Sequence, residues 1–324
     1  VEESLLYSHK HFTTSNWAML LGGIGGLLGL LFLTERYGLF GYGYGSLVGY
    51  FLQVVIPLSL FWKYRRKFSI SLNFKDKGLV RVYKLMYPVY AMGGLLVLVH
   101  ITSRALAASL GPGRVSAFQY SGTLTWILPI VLANSILVPL FPIISERVVR
   151  KEMESLKEIL RQGTGIIIFA VTPIVVSILM LRAPLVQFVF ERGEFTPEDT
   201  QLTAYTLFFF APLILAMVLS LLYTQVIVTL RRVNIGAKLT VMLIPLNFLL
   251  AIALMKVFDV GGIALAMTLT FFIQTGVTLI LIRHYIGPIG LGRQLVPSLK
   301  VLIGCAISAV PAHYLFQHME ASFD

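Results

Sequence analysis

The sequence predicts an all-α fold, a polytopic bundle of membrane-spanning helices. Hydrophobic residues make up 57% of its 324 positions and charged residues only 13%, whereas soluble domains average about 45–50% and about 25%. The apolar residues also come in blocks of roughly 20, the length that a helix needs to cross the hydrocarbon core of a bilayer. We therefore expect a multi-pass membrane protein.

Nine such blocks follow one another with short loops between them, so we expect one bundle without soluble domains. They cover residues 14–34, 43–62, 86–110, 117–144, 164–181, 202–229, 236–257, 262–282 and 295–317. The first contains the glycine cluster GGIGGLLG at 22–29, which favours close helix packing. Prolines recur inside later spans, as is typical of membrane helices that kink.

The third span contains a cation, Arg104, with His100 one turn earlier on the same helical face. An ionisable group within a span usually faces a cavity or a partner. The alternative is an interfacial anchor, since about 9 Å separates Arg104 from Leu110 at about 1.5 Å per residue, a distance that an arginine partly bridges. His100 is interpreted as a packing residue.

The fourth span is rich in uncharged polar side chains. Such residues either form hydrogen bonds between helices or line a water-filled path. Both roles stay open here for Gln119, Ser121, Thr123 and Asn134.

The basic segment ERVVRKEMESLKEILRQG, residues 146–163, follows the fourth span. Its alternating charges predict an amphipathic helix along one membrane face. We interpret it as a salt-bridged connector, with contact to anionic lipid headgroups as the alternative.

The segment FERGEFTPEDT, residues 190–200, interrupts the apolar sequence before the sixth span. Thr196 can cap a helix, Pro197 suits its first position, and Glu198 and Asp199 favour the positive end of the helix dipole. Asp199 is three residues after Thr196, which approximates a capping box. The segment therefore predicts a helix start.

The remaining spans carry few polar residues. Asn247 and Gln274 are isolated amides, interpreted as interhelical hydrogen-bond partners. No nucleophile–base pair, Walker loop, metal-ligand cluster or paired mid-membrane carboxylate is found in the sequence, and its single cysteine, Cys305, excludes a disulfide framework. These features argue against an ATPase and against an intramembrane enzyme, so transport or structural packing is expected.

The basic residues orient the chain. If the residue-10 end of the first span is cytoplasmic, 20 of the 26 Lys and Arg are inside. Five are outside: Arg36, Arg114, Arg182, Arg192 and Lys256. The positive-inside rule favours this orientation. The net charge of +11 is spread along one membrane face without a recognition motif, which argues against nucleic acid as a partner.

Two segments together resemble the MurJ/MviN-type lipid II flippases, members of the multidrug/oligosaccharidyl-lipid/polysaccharide exporter superfamily. The first is SRALAASLGPGRVSAFQYSGTLTW, in which Arg104, Ala108, Ser109, Leu110, Gly113, Val115, Ser116, Ala117 and Tyr120 fall on the family pattern. The second is the more specific, and its matching residues are Phe190, Arg192, Gly193, Phe195, Thr196, Asp199 and Thr200.

The resemblance implies a fourteen-helix bundle of two lobes, of which this chain would begin at the end of the fourth helix. Residues 1–85 would then hold the last helices of the first lobe and a cytoplasmic linker, 86–285 the second lobe, and 286–324 a further helix. Such a fragment would lack the first helices, so we expect no transport by it alone.

The implied mechanism is alternating access, in which a cavity between the lobes takes the pyrophosphate headgroup of an undecaprenyl-linked peptidoglycan precursor. The implied location is the bacterial cytoplasmic membrane, and the implied partners are this lipid-linked substrate, membrane lipids and cell-wall synthesis machinery. Arg104 matches the arginine of the first motif. A flippase for another polyprenyl-linked saccharide (O-antigen, teichoic or capsular type) or a cation-coupled drug exporter is the alternative.

Two positions depart from the family pattern. Ser103 stands where the family has an aspartate, and Thr123 where it has a cavity arginine. Some members bind a cation between helices, and the corresponding region here would be Ser103, Asn247 and Thr268, which offers no carboxylate. No cofactor is expected, and Na⁺ or H⁺ coupling has no support in these residues.

Overall fold

The computed structural model describes residues 12–38, 40–61 and 77–290, with 292, 300, 301 and 303–305. These residues form α-helices joined by short turns, which confirms the predicted all-α class. The chain divides into two compact units, residues 1–76 and 77–324. The predicted three-part division at 85 and 285 stays a prediction, as does most of the ninth span, which lies outside the described residues.

The first unit contains α1, Phe12–Tyr37, and α2, Phe40–Phe61. The two helices meet along glycines. A Cβ atom on Gly25 would lie 2.6 Å from the Cα of Gly49, and one on Gly29 would lie 2.6 Å from the Cα of Gly45. Only glycine permits such a close backbone approach. The packing role predicted for the glycine cluster is confirmed.

Six helices form the described part of the second unit. They are α3 (Lys77–Ser109), α4 (Arg114–Val149), α5 (Met153–Phe190), α6 (Pro197–Phe210), α7 (Leu213–Thr229) and α8 (Val233–Ile286). One apolar core joins α5, α6 and α7 through fully buried residues such as Leu160, Leu207 and Leu222. A second core joins α6 to the middle of α8, beside its bend, through Phe210 and Ile263.

Within the described ranges, five helical stretches are long and apolar enough to cross a membrane, judged by length and composition. They are Leu20–Tyr37, Arg114–Leu137, Met153–Phe190, Pro197–Thr229 and Val241–Ile286. Two shorter apolar helical segments, Phe40–Ile56 and Val97–Ser109, accompany them. This pattern agrees with a polytopic membrane bundle.

Two predicted spans differ from the structure in continuity. The sixth, 202–229, is interrupted by a turn at Ala211–Pro212, between α6 and α7. Proline supplies no backbone N–H to continue the helical ladder, so a break at this position is expected on physical grounds. The seventh and eighth spans form a hairpin, α8, whose halves meet at Asp259 with φ 51° and ψ −138°. The Asn247–Thr270 hydrogen bond of 3.2 Å joins its two antiparallel halves.

The connector at 146–163 is not one helix. α4 ends at Val149, the chain turns through Lys151 with φ 56°, and α5 begins at Met153. The salt-bridged character predicted for it is confirmed by four ion pairs: Arg147–Glu152, Arg150–Glu146, Lys157–Glu154 and Arg161–Glu158. The hydrogen bond to the Glu152 carboxylate raises the pKa of Arg147 above its usual value, because the carboxylate stabilises the charged guanidinium.

Candidate functional site

The helices α3 and α4 present polar side chains at one common depth. They are antiparallel, because only residues 110–113 separate them, and the rings of His100 and Trp126 lie 5.1 Å apart. Arg104 is four residues, about 6 Å, beyond His100, and Thr123 is three residues, about 4.5 Å, beyond Trp126 in the same direction. Arg104 and Thr123 therefore lie at nearly the same level.

These side chains are exposed. Arg104, Gln119 and Thr123 are all exposed to the surroundings of the unit. Among the described residues, the Arg104 guanidinium forms no hydrogen bond or ion pair. The Thr123 hydroxyl donates to the carbonyl of Gln119, within its own helix, at 2.9 Å. An unpaired guanidinium and a primary amide on lipid-facing surface would be costly. We name Arg104, Gln119 and Thr123 the polar face.

The other two residues predicted in this group, Ser121 and Asn134, are not included in the polar face. Ser121 is fully buried, and its hydroxyl donates to the carbonyl of Ala117 at 2.6 Å, so it lies in the interior of the unit rather than on the polar face. The side chain of Asn134 lies outside the described residues. The role of all five as a substrate cavity stays a prediction.

The helix start predicted at Thr196 is confirmed. The Thr196 hydroxyl accepts from the backbone N–H of Asp199 at 3.3 Å. In return, Asp199 Oδ2 accepts from the Thr196 backbone N–H at 3.0 Å and from its hydroxyl at 2.8 Å. This reciprocal pair is a complete capping box, with Pro197 opening the helix.

The two segments that carry the family resemblance meet at this helix start. Tyr120 of α4 packs on Phe190 and Phe195, with ring centroids 4.8 and 5.2 Å away. Beside them lies a cavity of about 440 Å³. The cavity is lined by Ser116, Ala117, Tyr120, Val189, Phe190, Arg192, Glu194, Phe195, Asp199 and Thr203. We name it the motif cavity.

The turn that closes the motif cavity depends on Gly193, whose φ is 64°. L-residues with a side chain rarely adopt this conformation, so the backbone of the turn explains why the second motif has a glycine here. On either side of it, Arg192 donates to the carbonyl of Val189, and Glu194 is exposed. The sequence indicated the helix start but contained no signal that this turn would face α4.

Two of the three residues predicted as a cation site, Asn247 and Thr268, are bonded to different partners. Asn247 donates to Thr270 at 3.2 Å, whereas the Thr268 hydroxyl is 2.7 Å from the carbonyl of Phe209 on α6. Ser103 is buried on α3. Among the described residues, no cluster of three or more His, Cys, Asp or Glu is arranged to hold a metal ion. The cation site stays a prediction.

An ion pair that the sequence did not reveal joins the start of α4 to the tip of α8. Arg114 Nη2 lies 3.2 Å from Asp259 Oδ2, and both side chains are about one-third exposed. The tip is also bound by Tyr205, whose hydroxyl donates to the carbonyl of Phe258 at 3.1 Å. The α3–α4 turn, the α5–α6 turn and the α8 tip thus lie at one end of the unit, which we name the motif end.

The fold defines a class, that of multi-pass α-helical membrane proteins, and solved transporters share it. A solved lipid II flippase MurJ in an inward-closed conformation matches with a TM-score of 0.77 at 18% identity, over 97% of this chain and 64% of that one. A MATE transporter, VcmN of Vibrio cholerae in its bent form, matches with a TM-score of 0.59 at 14% identity, over 94% and 66%.

The family follows from the sequence. The family model described as "Lipid II flippase MurJ" matches residues 1–323, and the chain belongs to this family.

Curated relatives carry the name "Probable lipid II flippase MurJ". The relative from Borreliella burgdorferi is 23% identical over 98% of this chain and 62% of its own length. The relative from Helicobacter pylori (strain 26695) is 22% identical over 82% and 62%. The relative from Synechocystis is 29% identical over 41% and 25%. The chain therefore spans less than two thirds of the length of each of these relatives.

Proposed function

We propose that the protein to which this chain belongs translocates lipid II, the undecaprenyl-pyrophosphate-linked peptidoglycan precursor, across the bacterial cytoplasmic membrane. It does so by alternating access, and the second unit contributes the polar face to substrate binding. The observation that carries the proposal is the match of the lipid II flippase family to nearly the whole chain. At the family's motif position stands an exposed arginine, Arg104, that has no partner among the described residues.

The chemistry of the polar face suits this substrate. A pyrophosphate offers several charged acceptor oxygens, and a guanidinium offers five N–H donors in a planar fork that binds phosphate in a bidentate manner. Because Arg104 has no carboxylate partner among the described residues, its charge is available to an anion. Gln119 and Thr123 add neutral polar groups that can bond a sugar or a phosphate without repelling either.

The proposed orientation places the motif end outside the cell. The opposite end of the second unit carries the α4–α5 turn, the α7–α8 turn and the end of α8, and we name it the basic end. Its cations include Arg147, Arg150, Lys151, Lys157, Arg161, Arg231, Arg232 and Arg283. Loops rich in Lys and Arg remain cytoplasmic, which supports a cytoplasmic basic end.

The test is rescue of a bacterium depleted of its own lipid II flippase by the full-length parent gene. We expect the wild type and Lys256→Ala to rescue growth and Arg104→Ala to fail, because the variant loses the cation that holds the pyrophosphate. Lys256 is the matched control, since it is also an exposed cation near the motif end. Membrane levels of each variant are compared by immunoblot.

Two results contradict the proposal in different ways. Failure of a well-expressed wild type rejects lipid II as the substrate. Rescue by Arg104→Ala at wild-type rate keeps the function and makes Arg104 an interfacial anchor.

A second candidate is a flippase for another polyprenyl-linked saccharide. The observation that favours it is the loss of two charges from the family pattern, at Ser103 and Thr123. Ser103 is buried and the Thr123 hydroxyl bonds within its own helix, so neither replaces a charged ligand. Rescue of an O-antigen or capsule flippase mutant, in place of lipid II rescue, would favour this candidate.

A further inference from the structure

The wall of the motif cavity contains one hydroxyl of note, that of Thr203. Thr203 is 1% exposed, and its Oγ1 is buried with no hydrogen-bond partner among the residues that the structure describes. Many other helical hydroxyls in this unit donate to the carbonyl one turn earlier, as Thr206 does to Leu202 at 2.8 Å and Thr125 to Ser121 at 2.9 Å. A buried hydroxyl without a bond costs about 1–3 kcal/mol. Because Thr203 lines the cavity, a molecule in the cavity is within reach after rotation about χ1.

The cavity has an aromatic wall rather than an aromatic cage. The rings of Tyr120, Phe190 and Phe195 pack against one another, with all three centroid distances between 4.8 and 6.0 Å. A cage for an ammonium group would need rings separated by the ligand. A single wall with an electron-rich face suits instead a flat ligand with polarised C–H groups on one side.

The polar groups of the cavity exclude an anion. Arg192 contributes one positive charge, and Glu194 and Asp199 contribute two negative charges, so the lining is net negative. A pyrophosphate would be repelled there. Carboxylates and hydroxyls together are acceptors and donors for neutral hydroxyl and amide groups. The cavity volume of about 440 Å³ falls in the range of about 300–1,000 Å³ that small-molecule sites occupy.

The cavity also continues the polar face. Ser116, Tyr120 and Thr123 lie on one side of α4, since helical residues separated by three or four positions share a face. Ser116 and Tyr120 line the cavity, and Thr123 follows them one turn along the same helix. A ligand that leaves Arg104 and moves toward the motif end would therefore reach the cavity next.

We propose that the motif cavity binds a neutral saccharide, with the ring stacked on the wall of Tyr120, Phe190 and Phe195 and its hydroxyl or acetamido groups bonded to Glu194, Asp199 and Thr203. The sugar is that of the translocated lipid, and this assignment of its source rests on the proposed function. The cavity thereby holds the sugar part at the motif end while the pyrophosphate is released from the polar face.

The test measures binding of N,N′-diacetylchitobiose, a neutral disaccharide, to the purified full-length protein by saturation-transfer NMR titration. We expect Thr203→Val to weaken binding about five- to tenfold, the equivalent of one lost hydrogen bond. Its melting temperature should be unchanged or raised, because the substitution removes an unbonded polar atom. Glu194→Gln should also weaken binding, because it removes a carboxylate that bonds the sugar. The variant should remain folded, since Glu194 is exposed and its replacement preserves the shape of the side chain.

Thr172→Val is the matched control. Thr172 is also buried, and its hydroxyl likewise has no bond to any described residue, but it lies on α5 and does not line the cavity. We expect the same small effect on melting temperature and wild-type affinity for the disaccharide. Equal binding by wild type and Thr203→Val would overturn the proposal, and so would an absence of disaccharide binding, which would mean that the cavity holds water only.

Growth rescue and competition separate this proposal from the proposed function. Lipid II should displace the disaccharide, whereas undecaprenyl pyrophosphate without sugar should not. Rescue of growth by a wild type that does not bind the disaccharide rejects the saccharide site and keeps the flippase. Binding that depends on Thr203, in a protein that fails to rescue, supports the saccharide site and rejects lipid II as its source.

Discussion

At the residue scale, the hydroxyl groups of the second unit differ in whether they are bonded within the protein or available to a ligand. Ser121, Thr125 and Thr206 donate to carbonyls of their own helices, so membrane burial costs them little. Thr196 is bonded to a neighbouring residue instead, as one half of the capping box with Asp199. Thr203 has neither kind of partner within the described part of the chain. Hydroxyl side chains therefore have three roles between residues 121 and 206, and sequence position alone does not distinguish them.

The capping box makes a measurable prediction. Thr196→Ala should destabilise the full-length protein by about 1 kcal/mol, because it leaves an N-terminal backbone N–H of α6 without its acceptor. This corresponds to a fall in melting temperature of about 2–4 °C, measured by thermal unfolding in detergent. Ser135→Ala is the control, since the Ser135 hydroxyl is exposed and bonds only to its own helix. An equal melting temperature for the two variants would contradict the contribution of the cap.

At the element scale, close packing and helix breaks determine how the predicted spans are arranged. The glycine cluster of α1 indicated close approach, but the partner glycines of α2 are spaced GYGYGSLVG and could not be matched to it from sequence. The structure shows Gly45 and Gly49 opposite Gly29 and Gly25. The division of the sixth span at Pro212 could have been anticipated from the proline. The hairpin at Asp259 could not, because a non-glycine residue with φ 51° is unusual.

The α1–α2 contact is testable with two glycines of one helix. Gly45→Leu should separate the helices and destabilise their packing by about 1–3 kcal/mol, because its side chain would overlap α1. Gly43→Leu should have little effect, since a Cβ atom at Gly43 meets no atom within 4 Å. The readout is the rate of tryptic cleavage at Arg36, beside the α1–α2 turn, followed by mass spectrometry on the full-length protein. Equal cleavage rates for the two variants would reject the contact.

At the scale of the whole molecule, charge divides the second unit into a basic end and a motif end. The basic end holds four ion pairs and additional cations, such as Arg232, which lies over the ring of Tyr285 at 5.1 Å. The motif end holds the capping box, the Arg114–Asp259 pair and the motif cavity. This asymmetry is the physical basis of the proposed orientation.

The orientation is tested by cysteine labelling in right-side-out membrane vesicles. In a background with Cys305 and any other cysteine of the full-length protein replaced by serine, Glu198→Cys at the motif end should react with a membrane-impermeant maleimide. Lys151→Cys at the basic end should react only after permeabilisation. Both positions are exposed, so the two variants control for each other. The reverse labelling pattern would reject a cytoplasmic basic end.

The sequence by itself determined the class and the family and indicated where apolar helices lie, because each depends on local properties. Apolar blocks of about 20 residues require helices in a bilayer, and the Thr196–Asp199 spacing specifies a helix start wherever the chain goes next. Only the tertiary structure brought Tyr120 to Phe190 and Phe195, paired Arg114 with Asp259, and put Ser121 in the core while Gln119 and Thr123 remained exposed. These outcomes depend on the rotation and register of packed helices, and residues distant in sequence decide them. For that reason each motif segment could be recognised from the sequence, whereas the cavity that they share could not be predicted.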